Sequence, residues 1–357
     1  MKILTIIGAR PQFIKAAAVS RQSAKAPEIR EIIVHTGQHF DHNMSDVFFE
    51  EMQIPKPDYH LDIHSLSHGA MTGRMLEEIE KVLIKEQPDY ALVYGDTNST
   101  IAGALAARKL HIKVIHVEAG LRSYNMKMPE EINRILTDRI SDILFCPTET
   151  AIQNLKKEGF NQFDCEIYNS GDVMEDAALF YASLAKEKSS IVEDLNLNGF
   201  ILCTFHREEN TDDPEKLSQI VDALNSLSKE CQVVIPLHPR TEKALDRFHL
   251  KLDAKVIPSV GYFDMINLIQ HSNLVLTDSG GLQKEAYFFN TFCLTMREQT
   301  EWRELVEHDY NRIVGTSKVR ILDGVEYFLK KSFVKNSSFY GGGKAAETIV
   351  NHLLSKS

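Results

Sequence analysis

Residues 1–15 read MKILTIIGARPQFIK. Lys2–Ile7 is a short, mostly apolar run rich in branched side chains, the composition of a strand buried in a parallel sheet. A Gly8-Ala9-Arg10-Pro11 turn follows at once. Phe13-Ile14-Lys15-Ala16 then opens a helix whose first turn Pro11 presets. Strand, glycine turn and helix are the first half of a βαβ unit. The same rhythm continues in EIIVH (31–35), YALVYG (90–95), KVIHVE (113–118) and DILFC (142–146), with helical patterns at 69–86 and 99–109. It restarts after about residue 197 with FILCTF (200–205), QVVIPL (232–237), AKVIP (254–258), NLVLTD (273–278) and FCLTM (292–296). Strands that alternate with helices form right-handed crossovers and parallel sheets. The restart predicts an α/β chain of two Rossmann-like, doubly wound domains with an interdomain cleft. The join is expected near 170–195, where Lys186-Glu187-Lys188-Ser189-Ser190 is polar.

The bulk numbers agree with two domains: 357 residues, 43% hydrophobic and 25% charged. A formal net charge of −10 argues against nucleic acid or an anionic membrane as the main partner. No apolar run approaches the ~18 residues of a membrane span. Residues 2–7 are too short for a signal peptide, so the expectation is a cytoplasmic protein. The five cysteines (Cys146, Cys165, Cys203, Cys231, Cys293) are widely spaced and contain no CxxC pair. They read as free thiols, not as a disulfide framework or a zinc site.

Ligands of open parallel sheets bind beyond the carboxyl ends of the strands, and here those ends are polar. Gly8-Ala9-Arg10 with Lys15 is one anion candidate, Arg10 offering a bidentate fork. Asp278-Ser279-Gly280-Gly281 leads a buried strand into a helix, where glycines and the helix N-terminus favour an anion. Glu285 lies one turn on, placed to accept bonds from ribose hydroxyls. Asp96 and Glu118 end consecutive strands, and Glu130 follows Pro129 at a helix start. Carboxylates gathered without metal-ligand histidine spacing suggest proton transfer. A helix cap at Asp96 and a helix-dipole role for Glu130 are the plainer alternatives. His206 and His238 also end strands, each followed by an arginine within two residues (Arg207, Arg240), as phosphate contacts and a proton donor would be.

GARPQFIK, HTGQH, VYGDTNST, HVEAGLRS, MPEEINR, CPTET, FHREEN, LHPR and TDSGGLQKEA occur in this order. Together they closely resemble the non-hydrolysing UDP-N-acetylglucosamine 2-epimerases, from residue 2 to about 350. The resemblance implies the glycosyltransferase-B fold. It places a sugar-side domain at 1–170, a UDP-binding domain at 171–340, and a terminal helix (341–357) crossing back to the first domain. It implies inversion at C2 of a UDP-linked acetamido sugar by elimination and re-addition of UDP, with no metal or redox cofactor. Asp96, Glu118 and Glu130 would handle proton transfer, and His206 the departing phosphate. Arg10, Lys15, Ser279, Gly280, Gly281 and Glu285 would hold UDP, beside a second active-site histidine at His238. A homodimer serving surface-polysaccharide synthesis (O-antigen or capsule) is likewise implied.

The chain departs from the common UDP-GlcNAc enzymes at two motifs. His206-Arg207-Glu208-Glu209 replaces His-Arg-Arg-Glu, and Thr300-Glu301-Trp302-Arg303-Glu304 replaces Thr-Glu-Arg-Pro-Glu. Asp41 stands where some members carry a Gln that helps bind an activating second substrate. QTEW (299–302), NMSDVFF (43–49) and TGRML (72–76) look more like a branch that includes epimerases of UDP-2,3-diacetamido-2,3-dideoxy-glucuronate. A uronate needs an extra cation, for which Arg74, Arg122, Arg297 and Arg303 are candidates. UDP-GlcNAc is the reference expectation and the diacetamido uronate stands beside it. A hydrolysing epimerase and a glycosyltransferase of the same fold are the rivals.

Overall fold

The computed structural model describes residues 1–38, 53, 55–335 and 339–356; the side chain of Arg10, and with it Asp41 and the segment 43–49, lies outside the described residues. The chain divides into two compact units, Met1–Ala177 with Ser338–Ser357, and Ala178–Ser337.

The first unit carries β1 (Lys2–Ile7), β2 (Arg30–His35), β3 (Tyr59–His60), β4 (Tyr90–Tyr94), β5 (Lys113–Val117), β6 (Ile143–Cys146) and β7 (Glu166–Asn169). They lie side by side in the order β3-β2-β1-β4-β5-β6-β7. Every pairing is parallel, with Thr5 of β1 opposite Ile33 on one side and Leu92 on the other. Both faces are covered, which is why β1 and β4 are apolar along almost their whole length. Leu4, Ile6, Val34, Ala91 and Val93 pack with Met75 and Ile79 of the helix His68–Glu86 in one buried core. Each such aliphatic side chain contributes about 1.5–3 kcal/mol through burial.

The second unit repeats the plan with β8 (Ile201–Thr204), β9 (Val233–Leu237), β10 (Lys255–Pro258), β11 (Leu274–Thr277), β12 (Cys293–Thr295) and β13 (Asn311–Ile313). Its order is β10-β9-β8-β11-β12-β13, again wholly parallel. Chain order reverses between β1 and β4 in one sheet and between β8 and β11 in the other. These are the positions where a doubly wound sheet opens a crevice at its carboxyl edge.

Three strands were not expected from the sequence: β3, β7 and β13. Each lies at a sheet edge. An edge strand is short and partly solvated, so it lacks the apolar run that marks a central one. The polar Lys186-Glu187-Lys188 is not a loop; it is the last turn of the helix Val173–Lys188. The helix Ala345–Leu354 belongs to the first unit, and Asp176 accepts the N–H groups of Ala345 and Ala346 at its start (3.0 and 2.9 Å). Cys146, Cys203 and Cys293 are buried free thiols. Burial pushes the Cys293 thiol up to about 12.

Candidate active site

In the first unit the site grows from the ends of β1, β4 and β5. Gly8 has no room for a side chain, because a Cβ would overlap Thr36 Oγ1 and Ser99 Oγ. The N–H groups of Gly8 and Ala9 both donate to Gln12 Oε1, at 2.9 and 3.0 Å. Gln12 in turn donates to the Tyr94 carbonyl at 2.8 Å and is buried. The turn is therefore locked by Gln12, a residue that sequence reading passed over. What the turn delivers is Lys15, whose ammonium pairs with Glu118 Oε2.

Glu118 follows β5 in left-handed backbone at φ +70°. A non-glycine residue there stores strain and is held by its surroundings. The holding groups are plain: the N–H groups of Glu118 and Ala119 both donate to the Phe145 carbonyl of β6 at 3.0 Å. Beside the neighbouring strand, Gly95 follows β4 at φ +62°, and its Cβ position lies 3.1 Å from Glu118 Oε2. Asp96 comes next. It is not the helix cap, since Thr97 caps the helix Asn98–Lys109 by accepting from Thr100 N. Asp96 instead pairs with the buried Arg134. Glu130 stands in the first turn of the helix Pro129–Ile140, exposed and with no hydrogen bond or ion pair among the described residues. Its neighbour Glu131 is the structural one: fully buried, it accepts from Ser123 N, Ser123 Oγ and Tyr124 N at 2.8–2.9 Å.

Beneath these turns lies a buried polar network. His116 Nδ1 is 2.7 Å from Asp138 Oδ1, and its Nε2 is 2.7 Å from the Gly95 carbonyl. Asp138 Oδ2 accepts from Arg122 at 2.7 Å and from Gly120 N at 3.1 Å. Burial alone would raise the Asp138 carboxyl, but His116 and Arg122 outweigh it and hold it below the ordinary value. Arg122 also forks onto Glu158 at 2.7 and 2.8 Å, so its charge is fully engaged inside the unit and it is withdrawn as a uronate cation.

In the second unit His206 follows β8 and the Asp278 turn follows β11. Asp278 is fully buried and does not cap the next helix. Its carboxylate accepts from the N–H groups of His206 and Arg207 and from Asn210 Nδ2, each near 3.0 Å. Asp278 and Asn210 thus fix the His206 loop across the crossover. His238 packs against it, ring centroids 5.2 Å apart and inclined 29°. His238 Nδ1 accepts the Arg240 N–H at 3.1 Å and caps the helix Pro239–Phe248. Burial, His206 and Arg240 all push the His238 ring below the ordinary histidine value. Arg240 pairs with Glu208 at 2.7 Å, the acid that replaces the second arginine of the motif.

Ser279 is the N-cap residue of the helix Gly280–Phe288, which therefore opens on two glycines. The first N–H groups of a helix have no partner within it. Glu285 is buried on that helix and accepts from Tyr262 Oη at 3.1 Å. Arg297 is buried beside Glu301 at 3.1 Å, whereas Arg74 and Arg303 are exposed. The sheet crossovers thus bring together Lys15, Asp96 and Glu118 in one unit, and His206, His238 and the Ser279-Gly280-Gly281 turn in the other.

A family model described as UDP-N-acetylglucosamine 2-epimerase matches residues 21–354. The UDP-2,3-diacetamido-2,3-dideoxy-D-glucuronate 2-epimerase of Pseudomonas aeruginosa is 58% identical over 354 residues, covering 99% of each chain. The crystal structure of Methanocaldococcus jannaschii UDP-GlcNAc 2-epimerase in complex with UDP-GlcNAc and UDP aligns at a TM-score of 0.89 and 43% identity, over 99% of this chain and 100% of that one. The Neisseria meningitidis enzyme bound to UDP-GlcNAc gives 0.87 and 32%, with the same coverage. Likeness of this extent, in sequence and in both sheets, means that the chain belongs to the UDP-N-acetylglucosamine 2-epimerase family and is an isomerase of the glycosyltransferase-B fold.

Proposed function

We propose that the chain inverts C2 of a UDP-linked acetamido sugar by eliminating UDP and adding it back. A carboxylate takes the C2 proton, and the C1–O bond breaks with its electron pair passing to the diphosphate. A C1=C2 double bond forms, giving a glucal. UDP then adds to C1 while a proton reaches the opposite face of C2, so no atom is gained or lost. The C2 proton is weakly acidic. The step therefore needs a base held in place and donors aimed at the charge that develops on the diphosphate.

The placement of Glu118 carries this reading. A carboxylate on strained backbone follows β5, one strand from the crossover, paired with Lys15 and packed beside the Gly95-Asp96 turn. Glu118, with Asp96 and the exposed Glu130, is read as the proton-handling set. His206, fixed by Asp278 and flanked by His238, assists the departing phosphate. Arg10, Lys15, Ser279, Gly280, Gly281 and Glu285 hold the nucleotide. The reading makes the protein a cytoplasmic homodimer that supplies surface-polysaccharide synthesis. For the sugar, the QTEW motif and the 58% identity to the P. aeruginosa enzyme favour UDP-2,3-diacetamido-2,3-dideoxy-glucuronate. The 43% identity to a UDP-GlcNAc 2-epimerase keeps UDP-GlcNAc as the second reading.

Glu118→Gln tests the role. Turnover should fall by about 10²–10⁴-fold, the usual range for a lost acid–base group, while calorimetry shows UDP binding nearly intact. Near-normal turnover in this variant would remove Glu118 from the proton-handling set.

A further inference from the structure

We infer that Trp302 is a positioning residue for the diphosphate turn, setting the direction of the N–H groups that the substrate's phosphates meet. The inference rests on the reading of Ser279-Gly280-Gly281 as that turn. Gly280 and Gly281 are joined by a peptide between two glycines, the linkage with the greatest freedom to rotate. A Cβ at Gly281 would meet nothing within 4 Å, so neighbouring packing does not confine that residue. Within the first turn of the helix Gly280–Phe288, residues 300–302 add side-chain ties to the peptide planes that open it.

The chain's single tryptophan is buried, and its indole N–H donates to the Gly280 carbonyl at 2.9 Å. A peptide unit is planar, and its C=O and N–H point in opposite directions. A donor that fixes the Gly280 oxygen therefore fixes the Gly281 N–H, which points out of the helix start. The preceding peptide is tied in the same way. Gln283 Nε2 donates to the Ser279 carbonyl at 3.3 Å, and Gln283 Oε1 accepts from Thr300 Oγ1 at 2.6 Å and from Asn311 Nδ2 at 3.0 Å. Thr300 Oγ1 closes the circuit by accepting the Trp302 backbone N–H at 3.2 Å. Both peptide planes whose N–H groups open the helix are thus tied to one short segment. The indole is itself anchored: the buried Lys284 ammonium lies 4.0 Å over its ring centroid, a cation–π contact. Glu301 completes the packing, its Oε1 lying 2.5 Å from where a Cβ at Gly280 would be.

Trp302→Phe keeps an aromatic face for Lys284 and removes the donor together with part of the buried ring. With the UDP-sugar as substrate, KM should rise about tenfold, the worth of one hydrogen bond to a polar turn, and kcat should change less. UDP affinity by calorimetry should fall to match, beside a modest fall in the thermal midpoint from the smaller buried ring. A lower midpoint with unchanged KM and UDP affinity would make Trp302 merely structural and overturn the inference. The wild type supplies a second measurement that needs no variant. Because the indole is unique and bonded to the turn, UDP should change its fluorescence saturably, at the concentrations where calorimetry records binding. Calorimetric binding with unchanged emission would overturn the inference alone. No calorimetric binding of UDP to the wild type would instead overturn the underlying reading of the turn.

Discussion

Gly8 and His35 show how single residues beside the site are constrained. A Cβ at Gly8 would overlap two hydroxyls, Thr36 Oγ1 and Ser99 Oγ, that already share a 2.8 Å hydrogen bond. Gly8→Ala must part them, so it should lower stability by about 1–3 kcal/mol, the usual cost of overpacking, read as a lower urea midpoint. His35 ends β2, buried, with Nδ1 2.6 Å from His60 Nε2. Burial first and His60 second push its ring down to about 4. The unfolded chain takes up that proton near pH 6.5, so below that point the unfolded state binds more protons. Stability should therefore fall as pH drops from about 6.5 towards 4, by up to about 3 kcal/mol. Urea midpoints across this range should decline more steeply for the wild type than for His35→Gln. Parallel declines would contradict the assignment.

At the scale of elements, the strand ends do the positioning, and they were the legible part of the sequence. The central strands β1, β2, β4, β5, β8 and β11 announce themselves as apolar runs, and each polar residue just beyond them falls at a carboxyl edge. The edge strands β3, β7 and β13 carry no such run. The groups that hold the site were also hidden, for a different reason: they act through tertiary contacts. Gln12, Asp138 and Glu131 lie on helices, and nothing in their local spacing marks Asp138 as the partner of His116. Asp278 stands in sequence beside a glycine turn and a helix start, and only the crossover shows that it serves the His206 loop. The His116–Asp138–Arg122 network joins β5, the helix Pro129–Ile140 and the Gly95 and Gly120 turns. Asp138→Ala would leave a buried guanidinium without one of its carboxylates and should cost about 3–5 kcal/mol. Asp138→Asn, which keeps the shape, should cost less. Chemical denaturation of both variants checks the order.

At the scale of the whole molecule, the last helix returns to the first unit and is held there by a few defined groups. Asp176 accepts from Ala345 and Ala346, and Glu175 accepts the Gly342 N–H at 2.7 Å. Asp176→Ala should loosen the C-terminal segment by about 1–2 kcal/mol, as loss of a helix cap does. Limited proteolysis should then cut first near residues 339–345. The proposed proton carriers Asp96, Glu118 and Glu130 all belong to the first unit. The most direct measurement is proton NMR of the protein in D2O with UDP-GlcNAc and, separately, with UDP-2,3-diacetamido-2,3-dideoxy-glucuronate. Deuterium should enter C2 as the manno epimer appears, still bonded to UDP, with at least one of the two sugars. Accumulation of free sugar and UDP, or no exchange at C2 with either substrate, would contradict reversible elimination at this site.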